Sequence, residues 1–353
     1  AAMATQLAGR TIDTFNIGFT GNDVGSEHNE AERVARHIGS RHHCLMLSPS
    51  DVLPALERWV NVFDEPFGDQ AALPTMLLAQ YARRTVTVVL TGEGADEVFG
   101  GYSNYAKRLR EERITGVLGG RLSPLPWLVR RLPARLARDR ILKAAALPRA
   151  RRYATIPNIF DAVLRREYFT DSFRHSAAAS IADRAEALYA ECDSPSYLDH
   201  LLHIDARLWL ADDLLAKVDR STMAHSLEAR VPYLDHALYG WCARLEAGLK
   251  LSGGAGKLLL KRLAERYLPP DIVHRPKQGF MMPLHRWLAQ ELRAEVAEAL
   301  GPAGLQRRGL IEPTAIVRLQ SEHASGRKNH AMRLWALLIL ERWFARYEPA
   351  FEL

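Results

Sequence analysis

"VVLTGEGADEVFGGY", Val88 to Tyr102, runs an apolar β-branched segment into a turn where Gly92, Gly94, Gly100 and Gly101 are laced with Glu93, Asp96 and Glu97. The apolar part, "TVTVVL" (Thr85–Leu90), reads as a buried strand. In open parallel sheets ligands sit beyond the carboxyl ends of the strands, so Thr91 to Asp96 falls on the edge where a ligand binds. Gly92 and Gly94 let backbone N–H groups approach an anion, and the helix that follows offers its N-terminus. Carboxylates beside a phosphate cradle are poor phosphate ligands themselves. They make sense when a hard cation bridges them to the phosphate, as magnesium does with one or two carboxylates and phosphate oxygens. A plain glycine turn with a capping aspartate accounts for one carboxylate and leaves the others unexplained.

Working outward, the preceding residues alternate between strand and helix. "TIDTFNIGF" (Thr11–Phe19) reads as a strand, and "SEHNEAERVARHIGS" as a helix with Ser26 as cap and Gly39 as its stop. "HHCLML" (His42–Leu47) is a second strand, and "SDVLPALERWVNVF" and "ALPTMLLAQYARR" are helices. Pro54 in the first of these is tolerable only near the helix start. This order predicts an α/β class with parallel pairing and helices on both faces. From Tyr102 onward long helical stretches dominate and no further strand is expected. The expected organisation is an α/β core over 1–105 and a helical layer over 106–353, in one cooperative unit without a linker or repeat. The opening "AAMATQLAG" resembles the middle of an uncapped helix, so a strand and its loop are expected upstream of Ala1.

Bulk properties narrow the class. The 353 residues are 48% hydrophobic and 25% charged, an ordinary globular profile. No apolar run reaches the roughly eighteen residues of a membrane span, and the start lacks the pattern of a secretory signal. Cys44, Cys192 and Cys242 are too widely spaced for a disulfide framework or a zinc cluster, which points to a reducing cytoplasm. Net charge is +6 and arginine supplies most of it, densest at Lys107 and from Arg130 to Arg152. A nucleic-acid binder is the function class this block raises, but no aromatic and glycine RNA motif accompanies it. A solvated helical face is the expected reading, with no nucleic acid as partner.

"LTGEGADEVFGGY" resembles the signature of glutamine-dependent asparagine synthetases and their ATP-pyrophosphatase relatives. "TFNIGF", "SEHNEAERVARHIGSRHH", "DEPFGDQAALPT" (Asp64–Thr75), "KVDRSTMAHSLEARVPYLDH" (Lys217–His236), "LKLSGGAGKLLLKRL" and "RPKQGF" (Arg275–Phe280) follow in the family's order. The resemblance covers about Ala1 to Ala345. It implies a HUP-like ATP-pyrophosphatase core whose first strand and SGGxDS pyrophosphate loop are missing, as is an amino-terminal glutaminase domain. "SGGAGK" at Ser252 is no substitute, since it lacks Walker spacing and reads as a loop before a helix.

The implied reaction uses ATP and Mg2+. Aspartate attacks the α-phosphate to give β-aspartyl-AMP and pyrophosphate, and ammonia from glutamine then displaces AMP. By resemblance, Ile17 lies against the base, and Thr91, Gly92 and Gly94 contact ATP through their backbone. Glu93 serves acyl-adenylate formation or amination, and Asp96 is a magnesium ligand whose partner aspartate belongs to the missing loop. Lys277 would neutralise the leaving pyrophosphate. Glu97 is expected only to favour the helix N-terminus, and a homodimer is one admissible assembly. Asp219 and Arg220 either hold a substrate charge or pair with each other. Asp64 suits either the site or a turn before a helix. Glu228, Arg230 and Asp235 read as a buried ion-pair network. His42 and His43 open a strand without metal spacing. Two alternatives remain open: a relative that amidates a sugar or peptide or closes a β-lactam or lasso ring, and an inactive scaffold. Without its loop, this chain alone is expected to make no asparagine.

Overall fold

The computed structural model describes residues 1–21, 27–118, 147–155, 159–160, 162–176, 181–276 and 282–347. Helix α1 (Ala2–Ala8) leads into β1 (Asp13–Phe19), α2 (His28–Ile38), β2 (Arg41–Leu47), α3 (Pro49–Val62), α4 (Ala72–Ala82), β3 (Val88–Leu90), α5 (Ala95–Phe99) and α6 (Ser103–Leu118). Ser26, the expected cap of α2, lies outside the described residues. Gly39 ends α2 in the left-handed conformation, as a residue without Cβ does at little cost. Helix α3 starts on a capping box between Ser48 and Asp51, with Pro49 in its first turn, and it carries Pro54 in its interior.

The strands form parallel pairs. β1 and β2 run in register from Asp13 with Arg41 to Phe19 with Leu47. β3 does not hydrogen-bond to either of them. Its partner is β4 (Glu228–Arg230), parallel to Val88–Leu90 and some 140 residues later in the chain. Two expectations are corrected here. A strand does follow Tyr102, and it was invisible because it is three residues long and contains only Glu-Ala-Arg. Nor is the Thr85–Leu90 run a buried strand, since Val88 is 41% and Leu90 60% exposed. Only Val86 and Val89 of that run pack inward, with Phe15 of β1, against Ala79, Ala82 and Leu227. A short hairpin, β5 (Leu251–Ser252) with β6 (Ala255–Gly256), is a further departure from the all-helical expectation.

The main core ties the first pair to the last helices. Ile17, Phe19 and Leu47 share one cluster with Trp59 and Phe63 of α3, Trp287, and Trp335 and Leu338 of the helix Ala331–Tyr347. Trp59 and Trp335 meet edge-on at 5.6 Å, both fully buried. The long run Tyr197–Met223 is helical as expected, but its middle, Ala206–Leu215, is a π-helix. Among the described residues no helix is long and apolar enough to cross a membrane. Cys44, Cys192 and Cys242 are all free thiols.

Candidate active site

The turn after β3 is held by backbone ladders before any side chain acts. The Thr91 N–H donates to the Arg230 carbonyl at 2.9 Å, which extends the β3–β4 ladder by one residue. The chain then turns through Gly92 and enters α5 with Gly94 as N-cap at φ 86°. Gly94 is required twice over: its backbone is left-handed, and a Cβ there would collide with the Leu234 side chain. Gly92 is different. It is exposed, and nothing stands within 4 Å of where its Cβ would be. Of these two glycines, it is the one that leaves its backbone open to an approaching group.

Thr91, Glu93 and Asp96 come together at this tip, and two of them carry unused oxygens. Thr91 Oγ1 and Glu93 Oε2 are buried and have no hydrogen-bond partner among the described residues. Buried polar atoms are nearly always satisfied, so two orphans on neighbouring residues mark a place where a ligand is wanted. Asp96 faces a cation that sequence reasoning missed: Lys257 Nζ lies 3.0 Å from Asp96 Oδ1. The clasp is built by the β5–β6 hairpin. The Lys257 N–H donates to the Phe99 carbonyl at 3.0 Å, and Lys257 adopts φ 56°, one of only two such non-glycine residues among those described. A Cβ on Gly101 would strike Asp96 and Lys257, and one on Gly256 would strike the Gly100 carbonyl. "SGGAGK" is therefore a loop before a helix, as expected, but its lysine reaches the strand tip. The left-handed backbone at a lysine carries no signal in a single sequence.

Glu97 corrects a weaker expectation. It does stand in the first turn of α5, but its side chain is buried, burial pushes its carboxyl upward, and the Tyr102 hydroxyl donates to it. Trp209 Nε1 in turn donates to Tyr102 Oη at 3.4 Å. Behind this, Asp205 accepts from Tyr105 and, at 2.5 Å, from Tyr153, and burial raises its carboxyl as well.

Around the tip, the Asp64–Thr75 and Lys217–His236 motifs are stapled to each other. Arg220 donates to Asp64 rather than pairing with Asp219, and Lys217 Nζ binds Asp69 Oδ2 at 2.7 Å with its side chain buried. The Glu228–Arg230 pair, at 2.7 Å, is exposed and not part of a buried network. Both residues sit on a strand with an open face, and Asp235 instead caps the helix His236–Ala243 through the Ala237 and Leu238 N–H groups. His43 binds Asp13 at 2.8 Å and stacks on Phe15, while His42 meets Thr14, so both serve the strand pair. Ile17 is 2% exposed and part of the main core. Lys277, Gly279 and Phe280 lie outside the described residues; the preceding Arg275 pairs with Glu27 at 2.6 Å. At the described end of the basic block, Arg149 and Arg152 pair with Glu112, and Arg151 with Glu186.

A strand tip that gathers an open glycine, two orphaned oxygens and a clasped aspartate is the geometry on which similarity to known proteins can be judged. The model of the family described as "Asparagine synthase" matches residues 1–345. The chain belongs to the asparagine synthase family. It is 34% identical over 349 residues to a putative glutamine-hydrolysing asparagine synthetase of Mycobacterium tuberculosis, spanning 98% of this chain and 52% of that protein. It is 28% identical over 344 residues to asparagine synthetase 1 of Bacillus subtilis, spanning 96% of this chain and 54% of the relative. An amidase, chry2, of Gibberella zeae is 19% identical over 346 residues. The chain thus spans about half the length of the curated relatives it matches.

Whether this tip suits magnesium is a question about its donors. Among the described residues no three or more His, Cys, Asp or Glu side chains form a group able to hold a metal. A protein-built cage is thus absent there. Asp96 and the unused Glu93 oxygen are hard oxygen donors, and magnesium bound mainly through phosphates needs no more than one or two such carboxylates. The residues fit an ion that arrives with a nucleotide.

Proposed function

We propose that this chain is the synthetase half of a glutamine-dependent asparagine synthase, with aspartate as acceptor and ATP as the activating substrate. The observation that carries the reading is the pair of orphaned buried oxygens on Thr91 and Glu93 beside the Asp96–Lys257 clasp, at the carboxyl end of a parallel strand. The open backbone at Gly92 and the Thr91 hydroxyl contact the nucleotide phosphates, and Gly94 fixes the turn that presents them. Asp96 would hold magnesium, whose charge would offset that of the phosphates. Glu93 Oε2 accepts a proton from ammonia as it attacks the acyl-adenylate. Lys257 holds the Asp96 carboxylate aimed at the tip, and its own charge faces the same phosphates. Ile17 supports the base from within the core. Lys277 brings a second cation to the leaving group.

The HUP-like reading of the core rests on a gap. Val88 and Leu90 are exposed, β3 does not bond to β1, and yet Phe15 of β1 and Val89 of β3 pack on one cluster. A further parallel strand between them, carrying a pyrophosphate loop and a second aspartate, would join both pairs into one sheet, with β1, β2 and β3 from 1–105 and β4 as its edge. Residues 106–353 complete the same domain. Ammonia reaches it from a glutaminase domain in the cytoplasm.

The test is aspartate-dependent release of AMP and pyrophosphate from ATP with ammonium as nitrogen source. It is run on this chain and on a version extended upstream by a strand and SGGxDS loop. The extended protein is expected to release both products, and Lys277→Ala in it to stop adenylate formation with the fold intact. This chain alone is expected to release neither. Asparagine formation by the unextended chain, or normal turnover by the Lys277→Ala protein, would contradict the reading.

A further inference from the structure

The π-helical stretch Ala206–Leu215 has a consequence separate from the strand tip. π turns are rare and frequently sit at functional sites, because the wider turn re-aims its side chains. Here it brings Trp209, Asp212 and Asp213 to one cavity of about 420 Å³, walled on its other sides by Tyr153, Arg184 and Leu208. Asp212 at the rim is committed to Arg184 at 2.9 Å. Asp213 is not committed to anything. Its Oδ2 is buried and accepts no hydrogen bond from any described residue. Lys217, one turn onward, offsets part of its charge, but that ammonium is held by Asp69 at 2.7 Å. Burial and the Asp69 charge together push the Asp213 carboxyl up to about 7 in spite of Lys217. Among the described residues, the acid in this cavity therefore has neither a donor nor a dedicated counter-ion. Beside it, Trp209 stays 44% exposed.

We propose that this cavity binds a small organic ammonium ion, with Asp213 as its counter-ion and Trp209 and Tyr153 flanking its apolar part. An ammonium group supplies both the N–H donors and the positive charge that a desolvated carboxylate lacks, and aromatic walls favour a cation beside them. A carboxylate or phosphate ligand would place like charge against Asp213. The inference does not depend on the adenylation chemistry, since Glu93, Asp96 and Lys257 take no part in it.

Calorimetric titration of the full chain with benzylamine and with its neutral counterpart benzyl alcohol tests the site. Charge-assisted pairing predicts that benzylamine binds at least about tenfold more tightly than the alcohol, and that Asp213→Asn removes that preference. Trp209→Ala should weaken both ligands, with far-ultraviolet circular dichroism verifying that each variant keeps its helices. Equal binding of amine and alcohol, no binding of benzylamine to the wild-type chain, or an undiminished amine preference in Asp213→Asn would each overturn the proposal. Should Asp213→Asn fail to fold, the amine-to-alcohol ratio of the wild-type chain decides alone.

Discussion

The two parallel strand pairs are built on opposite plans. β1–β2 is long, comes from neighbouring sequence, and drives Ile17, Phe19 and Leu47 into the main core. β3–β4 is three residues deep, joins distant parts of the chain, and leaves Val88 and Leu90 facing outward. The orphaned oxygens of Thr91 and Glu93 and the Asp96–Lys257 pair gather on the second. A short ladder alone positions side chains poorly, and what stiffens this tip is a set of close backbone approaches: Leu234 under Gly94, Lys257 against Gly101, and Gly256 against Gly100. One pair anchors the main core and the other leaves buried oxygens at its tip without a partner among the described residues.

Substitutions that separate these roles give the largest effects first. Ile17→Ala, in the main core, is expected to cost about 2–5 kcal/mol in urea unfolding, whereas Leu90→Ala, on the open strand, stays within about 0.5 kcal/mol. Equal losses at the two positions would erase the contrast. Gly101→Ala and Gly94→Ala should each cost about 1–3 kcal/mol, because the added methyl meets Asp96 and Lys257 in one case and Leu234 in the other. Gly92→Ala meets nothing, so its stability should hold within about 0.5 kcal/mol while nucleotide binding falls. A Gly92→Ala chain that binds ATP normally would show that the turn is not approached there.

The smallest effect concerns the layer that covers β1–β2. Glu322 accepts from His330 at 2.7 Å and Lys328 at 3.0 Å, and these partners hold its carboxyl down at about 2. A carboxyl depressed in the folded state adds stability above its ordinary value near 4.5, and that contribution drains away as pH falls from there toward about 2. Acid unfolding of Glu322→Gln should therefore lack that part of the pH dependence. An unchanged acid limb would remove Glu322 from the account.

Much of this was legible in order and spacing. β1, β2, α2 to α4 and the glycine-carboxylate turn follow from local periodicity and glycine stops that act over a few residues, whereas Pro54, expected near a helix start, lies in the interior of α3. What escaped is what tertiary contact decides. β4 is a strand because β3 needs a partner, not because Glu-Ala-Arg prefers to extend. Lys257 joins the site through a left-handed backbone that only the Gly100–Gly101 approach makes tolerable. Glu97 is buried by Tyr102, five residues on, and Arg220 chose Asp64 over its own neighbour Asp219. None of these choices has a periodic signature.

The most direct measurement is anomalous diffraction from crystals of this chain soaked with AMP and manganese in place of magnesium. The account predicts a manganese peak against the Asp96 carboxylate. A corner left without density, its Asp96 carboxylate still closed on Lys257 alone, would contradict it.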